Sequence, residues 1–430
     1  MKKVLELYKE KVRPADEAIK LIQDGDYIAV SIGETPTLLE ALSEHYKEYH
    51  DVKVCQIFAH REYSYLDLEK IDHVRHLSYF VGAQSRKGAQ EGWIDFIPSY
   101  FSQMPNMFRQ GYLRADVVFA LASTMDEHGY FSVSLGPDYT MGAMEKARNI
   151  ILEVNPNVPF AYGNNLVHIS QLSAVVEDDR PVYSVGLPEI GPAEKVIGQY
   201  IADMIEDGST VQIGFGAIAD AVAMQLTNKH DLGVHTEMVG DAILGLYECG
   251  AVTNKKKNYL PGRAVATFAL GSEKLYKWMH RNPEIEMHPV DYTNDPYLAG
   301  LNDNLITING SIQIDFLGQC CSESIGHRPY SGTGGQLDFV RAGNRSKGGK
   351  SILCFPSTAK NGQLSRIVPV LAPGSHVTTH KNDVNYIVTE YGVAQLYGKS
   401  AKQRAEELIA IAHPDFRGEL RKEAKRMLLL

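Results

Sequence analysis

The sequence predicts an α/β fold made of two similar domains with mostly parallel sheets. Strand-like and helix-like segments alternate along the whole chain, and this alternation is typical of parallel sheets covered by helices. The chain also repeats part of its own pattern. A third observation is its length of 430 residues, which exceeds what one ordinary hydrophobic core holds.

The alternation is clearest in the first third of the chain. Short apolar runs bounded by turn residues predict strands, and longer stretches with helical spacing predict helices. After a charged, helical N-terminal segment, the predicted elements are a strand at Asp26–Ile32, a helix at Thr37–Tyr49, strands at Val52–Phe58 and Val117–Leu121, a helical stretch from Gly142–Asn149 and a strand at Ile150–Glu153.

A repeat relates the two halves of the chain. Leu21–Leu42 and Met204–Leu226 each contain a helix end, an Asp-Gly turn, an apolar strand, a glycine turn and an apolar helix. A weaker repeat follows in the same order, between Val117–Tyr130 and Ile306–Gln319. Any two strand-turn-helix units resemble each other, but two matches in one order favour a duplicated architecture. The matched positions are Asp24-Gly25 with Asp207-Gly208, Gly33 with Gly216, Asp126 with Asp315 and Gly129 with Gly318.

The boundary between the copies is predicted within Val175–Pro192. This segment contains an acidic run and three prolines and has little periodicity, so we expect an extended linker. A helix at Ala193–Ile205 then opens the second half. The predicted domains are therefore residues 1–185 and residues 186–430.

Composition limits the class of function. Hydrophobic residues make up 44% of the chain and charged residues 22%, with a net charge of -9, which indicates a soluble globular protein and argues against nucleic-acid binding. The N-terminus lacks the apolar core of a signal peptide, and we find no apolar run long enough to span a membrane. The five cysteines show no CxxC spacing, which fits a reducing compartment. We therefore expect a cytoplasmic protein, with Cys320-Cys321 as small buried residues in a strand.

Four segments have the residue types that chemistry needs. In Val211–Val222 an apolar strand enters a Gly-x-Gly turn and leaves as a helix, which suits an anion. In Gly233–Gly240, Glu237 follows a short strand, at the sheet rim where α/β proteins bind ligands. The other two are the glycine-rich Ser331–Arg341, which suggests backbone N–H groups aimed at a ligand, and Val384–Arg417, which contains Lys399 and a predicted helix at Ala401–Ile411. Taken alone, the Gly-x-Gly turn is a weak signal, and Glu237 and Lys399 are more simply explained as solvated charges. For the glycine-rich block, a tight structural turn is about as good an explanation as a site.

Other common sites are not indicated. The histidines and cysteines show no metal-binding spacing, and the sequence contains neither a GxSxG elbow nor a P-loop lysine. Asp126-Glu127-His128-Gly129 is polar, but a turn after a strand explains it. We predict no metal site.

Several longer blocks resemble the acetyl-CoA hydrolase/transferase family, and most closely its 4-hydroxybutyrate and butyrate CoA-transferases. The resemblance covers nearly the whole chain and is most specific in its last two blocks. The blocks are STMDEHGYFSVS, VQIGFGAIADAV, GVHTEMVGDA, DFLGQ, YSGTGGQLDFVR and TEYGVAQLYGKS–AHPDFR.

The resemblance implies a CoA-transferase-like pseudo-duplication, with acyl-CoA and small carboxylic acids as substrates and a homodimer or larger homo-oligomer as the assembly. Glu237 falls on the family's nucleophilic glutamate. The oxyanion glycine falls in the pair Gly334-Gly335, either of the two, and Asn309 falls on an asparagine that contacts the reacting carbonyl. The CoA-binding turn falls on Gly214, Phe215, Gly216, Ala217 and Ile218, with Ala219 where the family has proline; Gln336 and Lys399 complete the predicted binding residues.

The implied activity is the transfer of CoA between a short-chain acyl-CoA and a free acid, through a glutamyl-CoA thioester. Three alternatives stay open. The first is an acyl-CoA hydrolase that uses the same Glu237. The second is a ligand-binding regulator of related fold, against which the acidic composition counts. The third is a nucleotide-binding oxidoreductase, against which the missing GxGxxG fingerprint counts.

Overall fold

The computed structural model describes residues 2–57, 59–186 and 188–430. They form two compact units, Met1–Val185 with Val265–Thr293, and Gly186–Ala264 with Asn294–Leu430. The predicted second domain includes 265–293, whereas these residues group with the first unit. The physical reason is pairing, because strand Ile285–Met287 lies parallel to Tyr162–Gly163.

The first unit is built on a seven-stranded parallel sheet. Leu38, Leu39 and Leu42, on one face of a helix, pack on strand residues such as Ile28 and Val54 in a fully buried cluster. In order across the sheet, the strands are Ala174–Glu177, Asn149–Val154, Val117–Ala122, Tyr27–Val30, Val52–Gln56, Val74–Ser78 and Asp95–Phe96. The helices of this unit are Lys2–Lys11, Ala15–Ala18, Pro36–Glu44, Arg86–Glu91, Met104–Gln110, Thr140–Met144, Glu273–Met279 and Val290–Thr293.

The second unit contains a six-stranded sheet in which only the last pair is antiparallel. In order, its strands are Gly233–Val234, Thr210–Ile213, Leu305–Gly310, Lys350–Cys354, Tyr386–Thr389 and Gly392–Gln395. Its helices are Pro192–Asp203, Ala217–Gln225, Asp241–Glu248, Pro296–Ala299, Gln336–Arg345, Ala401–Ala410 and Pro414–Arg426. The predicted α/β class with mostly parallel sheets is confirmed.

Shorter elements connect these sheets and helices. The remaining strands are Tyr130–Ser132, Tyr162–Gly163, Leu166–His168, Met238–Val239, Ala264–Ala266, Phe268–Ala269, Ile285–Met287, Gln313–Asp315, Cys320–Cys321, Ser324–Ile325, Arg328–Pro329, Thr358–Ala359, Leu364–Ser365 and Ile367–Val368. The 3₁₀ turns are Ile19–Leu21, Tyr46–Glu48, Ser64–Leu66, Leu68–Lys70, Phe101–Gln103 and Ile169–Gln171.

Strand register reproduces the sequence repeat. Ile28 pairs with Val117 in the first unit, and their counterparts Val211 and Ile306 pair in the second. The Asp-Gly turns also match, since Asp24 Oδ1 accepts from the His50 N–H at 2.7 Å and Asp207 Oδ1 accepts from the His230 N–H at 2.8 Å. The two matched loops agree as well. In each loop, one aspartate accepts hydrogen bonds from the backbone N–H groups two and four residues further along the chain. Asp126 accepts from residues 128 and 130, and Asp315 accepts from residues 317 and 319.

Most predicted elements lie within a few residues of the observed ones. The predicted helix Thr37–Tyr49 ends earlier, at Glu44, and continues as the 3₁₀ turn Tyr46–Glu48. Phe58, at the end of a predicted strand, and Leu187, in the predicted linker, lie outside the described residues. The final helix Pro414–Arg426 is not predicted from the sequence. The preceding helix ends at Ala410, and His413 caps the final helix by accepting from the Asp415 N–H.

The described residues contain buried cysteines at Cys320-Cys321, in a strand as predicted. None of the helices in the described part of the chain combines the length and the apolarity that crossing a bilayer requires.

Candidate active site

Three neighbouring parallel strands of the second unit bring the predicted residues to one edge of the sheet. Strands Gly233–Val234, Thr210–Ile213 and Leu305–Gly310 are adjacent and parallel, so their carboxyl ends meet at the same edge. Glu237 follows the first strand and Gly214 follows the second. Asn309 lies at the end of the third.

The turn 214–218 ends in a helix whose first N–H groups have no side-chain cap. Gly216 has a φ of 116°, which favours glycine, and helix Ala217–Gln225 begins directly after it. Gly216, at the N-cap position, has no side chain that could cap this N-terminus. Phe215 is 61% exposed. The turn therefore has the free donors and the helix dipole that an anion needs.

The corresponding helix in the first unit starts differently. There the Leu38 N–H donates to Glu153 Oε2 at 3.0 Å, so a carboxylate of the protein occupies the helix N-terminus. Strand register places Cys354 at the position of Glu153 in the second unit. The first copy also has a proline, Pro36, where the second has Ala219. The second unit therefore has a thiol, and not a carboxylate, at the position from which Glu153 reaches its helix.

Two groups contact the carboxylate of Glu237. Asn294 Nδ2 donates to Glu237 Oε2 at 2.6 Å, and Gly335 lies against the same oxygen, since a Cβ at this position would be 1.9 Å from it. Burial raises the pKa of Glu237 to about 7; the hydrogen bond from Asn294 opposes this rise, the negative charge of Asp338 adds to it and the nearby backbone N–H of Gly335 opposes it. The residue as a whole keeps some exposure to solvent.

The two predicted glycines are not equivalent. A Cβ on Gly335 would lie 1.9 Å from Glu237 Oε2 and 2.2 Å from Asn294 Nδ2, so no side chain fits there. Gly334 has a φ of 55°, and its role is to turn the backbone. The structure thus brings Gly335 into contact with the carboxylate.

The other predicted residues have partners within the second unit. Asn309 Nδ2 donates to Gln212 Oε1 at 3.1 Å. Gln336 Nε2 donates to Ser322 Oγ at 3.0 Å and to Thr379 Oγ1 at 2.9 Å. Lys399 forms an ion pair with Glu407, which accounts for its charge without a ligand.

Two residues at the site escape prediction from the sequence. Asn294 is separated from Glu237 by 57 positions, and nothing local marks it except its place before Asp295-Pro296. Asp338 lies inside the glycine-rich block and is buried in the first turn of helix Gln336–Arg345, where a buried aspartate among apolar neighbours is the available signal.

A groove of about 530 Å³ lies along helices Ala217–Gln225 and Asp241–Glu248, from Asp220 onward in the first of them. Met224 and Leu246 supply apolar surface, and Lys195 contributes a basic side chain to the lining. Among the residues that the structure describes, no group of three or more His, Cys, Asp or Glu side chains is placed to hold a metal ion.

Comparison with known proteins identifies relatives over the full length. The family models described as the acetyl-CoA hydrolase/transferase N-terminal and C-terminal domains match residues 2–185 and 271–424. A succinyl-CoA:cyclohexane-1-carboxylate CoA transferase of Geobacter metallireducens is 48% identical over 98% of this chain and 96% of its own. A 4-hydroxybutyrate coenzyme A transferase of Clostridium kluyveri is 42% identical over 98% and 99%.

Solved structures agree with this match. The crystal structure of a 4-hydroxybutyrate CoA-transferase from Porphyromonas gingivalis is 38% identical, covers 98% of this chain and 99% of its own, and superposes with a TM-score of 0.83. An acetyl-CoA hydrolase of Kluyveromyces lactis is more distant, at 26% identity over 95% of this chain and 88% of its own.

Proposed function

The chain belongs to the acetyl-CoA hydrolase/transferase family, and from this premise we propose that it transfers CoA between a short-chain acyl-CoA and a free carboxylic acid. Glu237 is the nucleophile. The observation that carries the proposal is the carboxylate of Glu237 at a sheet rim, held by Asn294 and Gly335, in a chain whose relatives at 42% and 48% identity bear the names of CoA transferases.

The reaction proceeds by covalent catalysis with ping-pong kinetics. Glu237 attacks the acyl carbonyl and expels CoA thiolate, which gives an acyl-glutamyl anhydride. The thiolate then attacks the glutamyl carbonyl, releases the first acid and leaves a glutamyl-CoA thioester. A second acid reverses both steps and departs as the new acyl-CoA. Each step exchanges bonds of similar energy, so neither ATP nor a metal is part of the chemistry.

The pKa of Glu237 fits this role. A carboxyl group whose pKa is about 7 is a stronger base, and as a carboxylate a better nucleophile, than an exposed glutamate, yet it is ionised in an appreciable fraction near neutral pH. Burial thus strengthens the nucleophile. The attack also creates an oxyanion, which fixed N–H donors stabilise.

The turn at 214–218 is proposed to bind an anionic group of CoA. The N-terminus of its helix provides N–H donors, and the groove of about 530 Å³ along the same helix is of the size of small-molecule sites. Binding of the non-reacting part of CoA there would help drive the thioester toward Glu237. Asn309, Gln336 and Lys399 are retained as contacts to substrate, although the first two are engaged with Gln212, Ser322 and Thr379, and Lys399 would have to leave Glu407.

The hydrolase alternative uses the same nucleophile and differs in whether water reaches the intermediate. The named hydrolase relative is more distant than the named transferases, which favours transfer. The acyl group remains open, because the two transferase relatives have different acids in their names.

An acid-panel assay tests the proposal. Purified protein is incubated with butyryl-CoA or succinyl-CoA and, in turn, acetate, butyrate, 4-hydroxybutyrate or cyclohexane carboxylate, and new acyl-CoA is quantified by mass spectrometry. We expect acid-dependent formation of the new thioester, and its loss in Glu237→Ala with folding preserved. Normal turnover by that variant would overturn the role of Glu237, and thioester loss at the same rate without any acid would favour the hydrolase.

The predicted cytoplasmic location and homo-oligomeric state belong to the same proposal. Light scattering during size-exclusion chromatography tests the second. A molar mass twice that of the chain or more is expected, and a monomer at the working concentration would contradict it.

A further inference from the structure

The strand that leads to Glu237 is short and lies at the edge of its sheet. Gly233–Val234 has two residues and is an end strand of the six-stranded sheet. On its inner side, the Gly233 and His235 N–H groups donate to the Ser209 and Val211 carbonyls at 2.9 and 3.1 Å. The outer side of an edge strand presents unpaired N–H and C=O groups unless another part of the chain bonds to them. The position of the candidate nucleophile therefore depends on what completes this edge.

A loop of the same unit covers the outer edge, beginning just before the strand. The Leu232 N–H donates to the Ala251 carbonyl at 2.9 Å. The Leu232 carbonyl accepts from the N–H groups of Thr253 and Asn254 at 3.1 and 3.0 Å. Up to this point the loop bonds to the edge through its backbone, as a further strand would.

At Val234 two side chains of the loop replace its backbone. The Val234 N–H donates to Asn254 Oδ1 at 2.8 Å. The Val234 carbonyl accepts from Lys257 Nζ at 3.0 Å, in a buried contact. Asn254 is 1% exposed and Lys257 is 4% exposed. Both outward-facing groups of the last strand residue are thus bonded by buried polar side chains.

Lys257 differs from the two lysines that precede it. Lys255 and Lys256 are exposed, whereas the Lys257 side chain crosses the strand so closely that a Cβ on Gly233 would lie 2.4 Å from its Cγ. Lys257 Nζ also donates to the Arg263 carbonyl at 2.5 Å. A buried ammonium group is costly unless its hydrogen bonds are kept. The Val234 carbonyl therefore cannot move without weakening the bonds of Lys257.

We propose that Lys257 and Asn254 are positioning residues that fix the chain leading to Glu237. Between Val234 and Glu237, the His235 N–H is bonded to the sheet, and Thr236 Oγ1 donates to the Ile213 carbonyl at 3.2 Å. A displacement of Val234 is therefore passed along a bonded chain to the carboxylate. The inference rests on the proposed function, because it assigns these residues to the reaction of Glu237.

The proposal predicts an effect on kcat and not on the binding of acyl-CoA. The proposed CoA turn at 214–218 follows a different strand, Thr210–Ile213, whose backbone Lys257 and Asn254 do not bond to among the contacts described above. A misplacement of a reacting group by about 1 Å lowers a rate by about 10²-fold. The two residues should therefore act on the chemical steps.

Lys257→Met is the first test, because methionine keeps an unbranched apolar stem and loses the ammonium donors. Acid-dependent CoA transfer is measured far below the unfolding midpoint, which is followed by circular dichroism, and the rate is expressed per folded protein. We expect kcat to fall by about 10²-fold, with a KM for acyl-CoA within about threefold of wild type. Lys255→Met, in the same run of lysines, is the matched control and should keep the wild-type kcat.

Asn254 provides a pair of variants that separates the hydrogen bond from the fold of the loop. Its φ is 57°, which aspartate and glycine also adopt. Asn254→Asp keeps an acceptor for the Val234 N–H, and Asn254→Gly removes it without straining the backbone. We expect kcat within about threefold of wild type for the first and at least about tenfold lower for the second. Equal rates in the two variants would contradict the assignment of Asn254.

The remaining outcomes distinguish this inference from the proposed function. If Lys257→Met has a lower unfolding midpoint but the kcat of Lys255→Met, Lys257 only stabilises the fold and the inference is overturned while the proposed function stands. A raised KM with an unchanged kcat would assign the loop to CoA binding and would also overturn it. A wild-type protein without acid-dependent transfer would be the failure of the proposed function, and the inference would fall with it.

Discussion

Glu153 Oε2 accepts a hydrogen bond from the Leu38 N–H at 3.0 Å, at the start of the first helix after the first strand of its unit. The matching helix in the second unit begins at Ala217, after the N-cap residue Gly216, which has no side chain. Two copies of one strand-turn-helix arrangement have thus diverged, so that one N-terminus is occupied by the protein and the other is open. This difference agrees with the location of Glu237 in the second unit. At the position of the first unit that matches Glu237, strand register places Ile57.

Glu153 makes stability depend on pH. Burial raises the pKa of Glu153 to about 7, against the hydrogen bonds from Leu38 and Thr37. Because the pKa of Glu153 is higher in the folded than in the unfolded protein, the protonated carboxyl favours the folded state. Its stabilising contribution is complete below the unfolded pKa of about 4 and is lost as pH rises through about 7. We expect Glu153→Gln to be more stable than wild type at about pH 8, on the order of 2 kcal/mol, and equal near pH 4.

Urea unfolding at the two pH values measures this difference. Glu91→Gln, at an exposed position, serves as the control and should leave the pH dependence unchanged. If Glu153→Gln were no more stable than wild type at the higher pH, the ionised carboxylate of Glu153 would not be destabilising the folded state.

Asp338 is expected to set the pH range of activity. Its negative charge adds to the rise in the pKa of Glu237, and the nucleophile must be deprotonated to attack. Removing the charge in Asp338→Asn lowers the pKa of Glu237, so the acid limb of the kcat/KM profile moves to lower pH. The pH profile of kcat/KM, recorded with a saturating acceptor acid, measures the shift of this limb. Loss of activity at every pH with an unchanged midpoint of the acid limb would indicate damage to packing only. Glu406→Gln, an exposed change in the same unit, should alter neither the activity nor this midpoint.

The two glycines are predicted to fail in different ways. Gly335→Ala places a methyl group on the Glu237 carboxylate, so we expect a loss of activity of about 10²-fold or more while the fold persists. Gly334→Ala forces a left-handed conformation, which costs about 1–2 kcal/mol of stability. Steady-state rates and unfolding midpoints of both variants separate the effects. If Gly335→Ala kept its activity and Gly334→Ala lost it at equal stability, Gly334 would be the glycine that supports the reaction.

The structural features that the sequence predicts are those with a local residue pattern. The alternation, the glycine turn at 214–216 and the repeat that aligns Asp126 with Asp315 follow from residues close in the chain, and register confirms the repeat. The grouping of 265–293 with the first unit depends on strand pairing at long range, which leaves no local pattern. The contact of Asn294 with Glu237 could not be predicted for the same reason, because the two residues are 57 positions apart.

The choice between Gly334 and Gly335 also needs coordinates. Both belong to one run of glycines, and the sequence offers no reason to prefer either. The distance of 1.9 Å from a Cβ of Gly335 to Glu237 Oε2 favours Gly335. The ion pair of Lys399 with Glu407 is a second example, since spacing alone makes that lysine a candidate for a phosphate.

Trapping of the covalent intermediate is the most direct test of Glu237 as the nucleophile. The protein is mixed with acyl-CoA in the absence of a free acid, treated with borohydride and digested, and the peptide that contains Glu237 is analysed by mass spectrometry. The mechanism predicts that the Glu237 side chain is reduced to an alcohol and that activity is lost together with it. An unmodified Glu237 peptide and full retention of activity would contradict the mechanism.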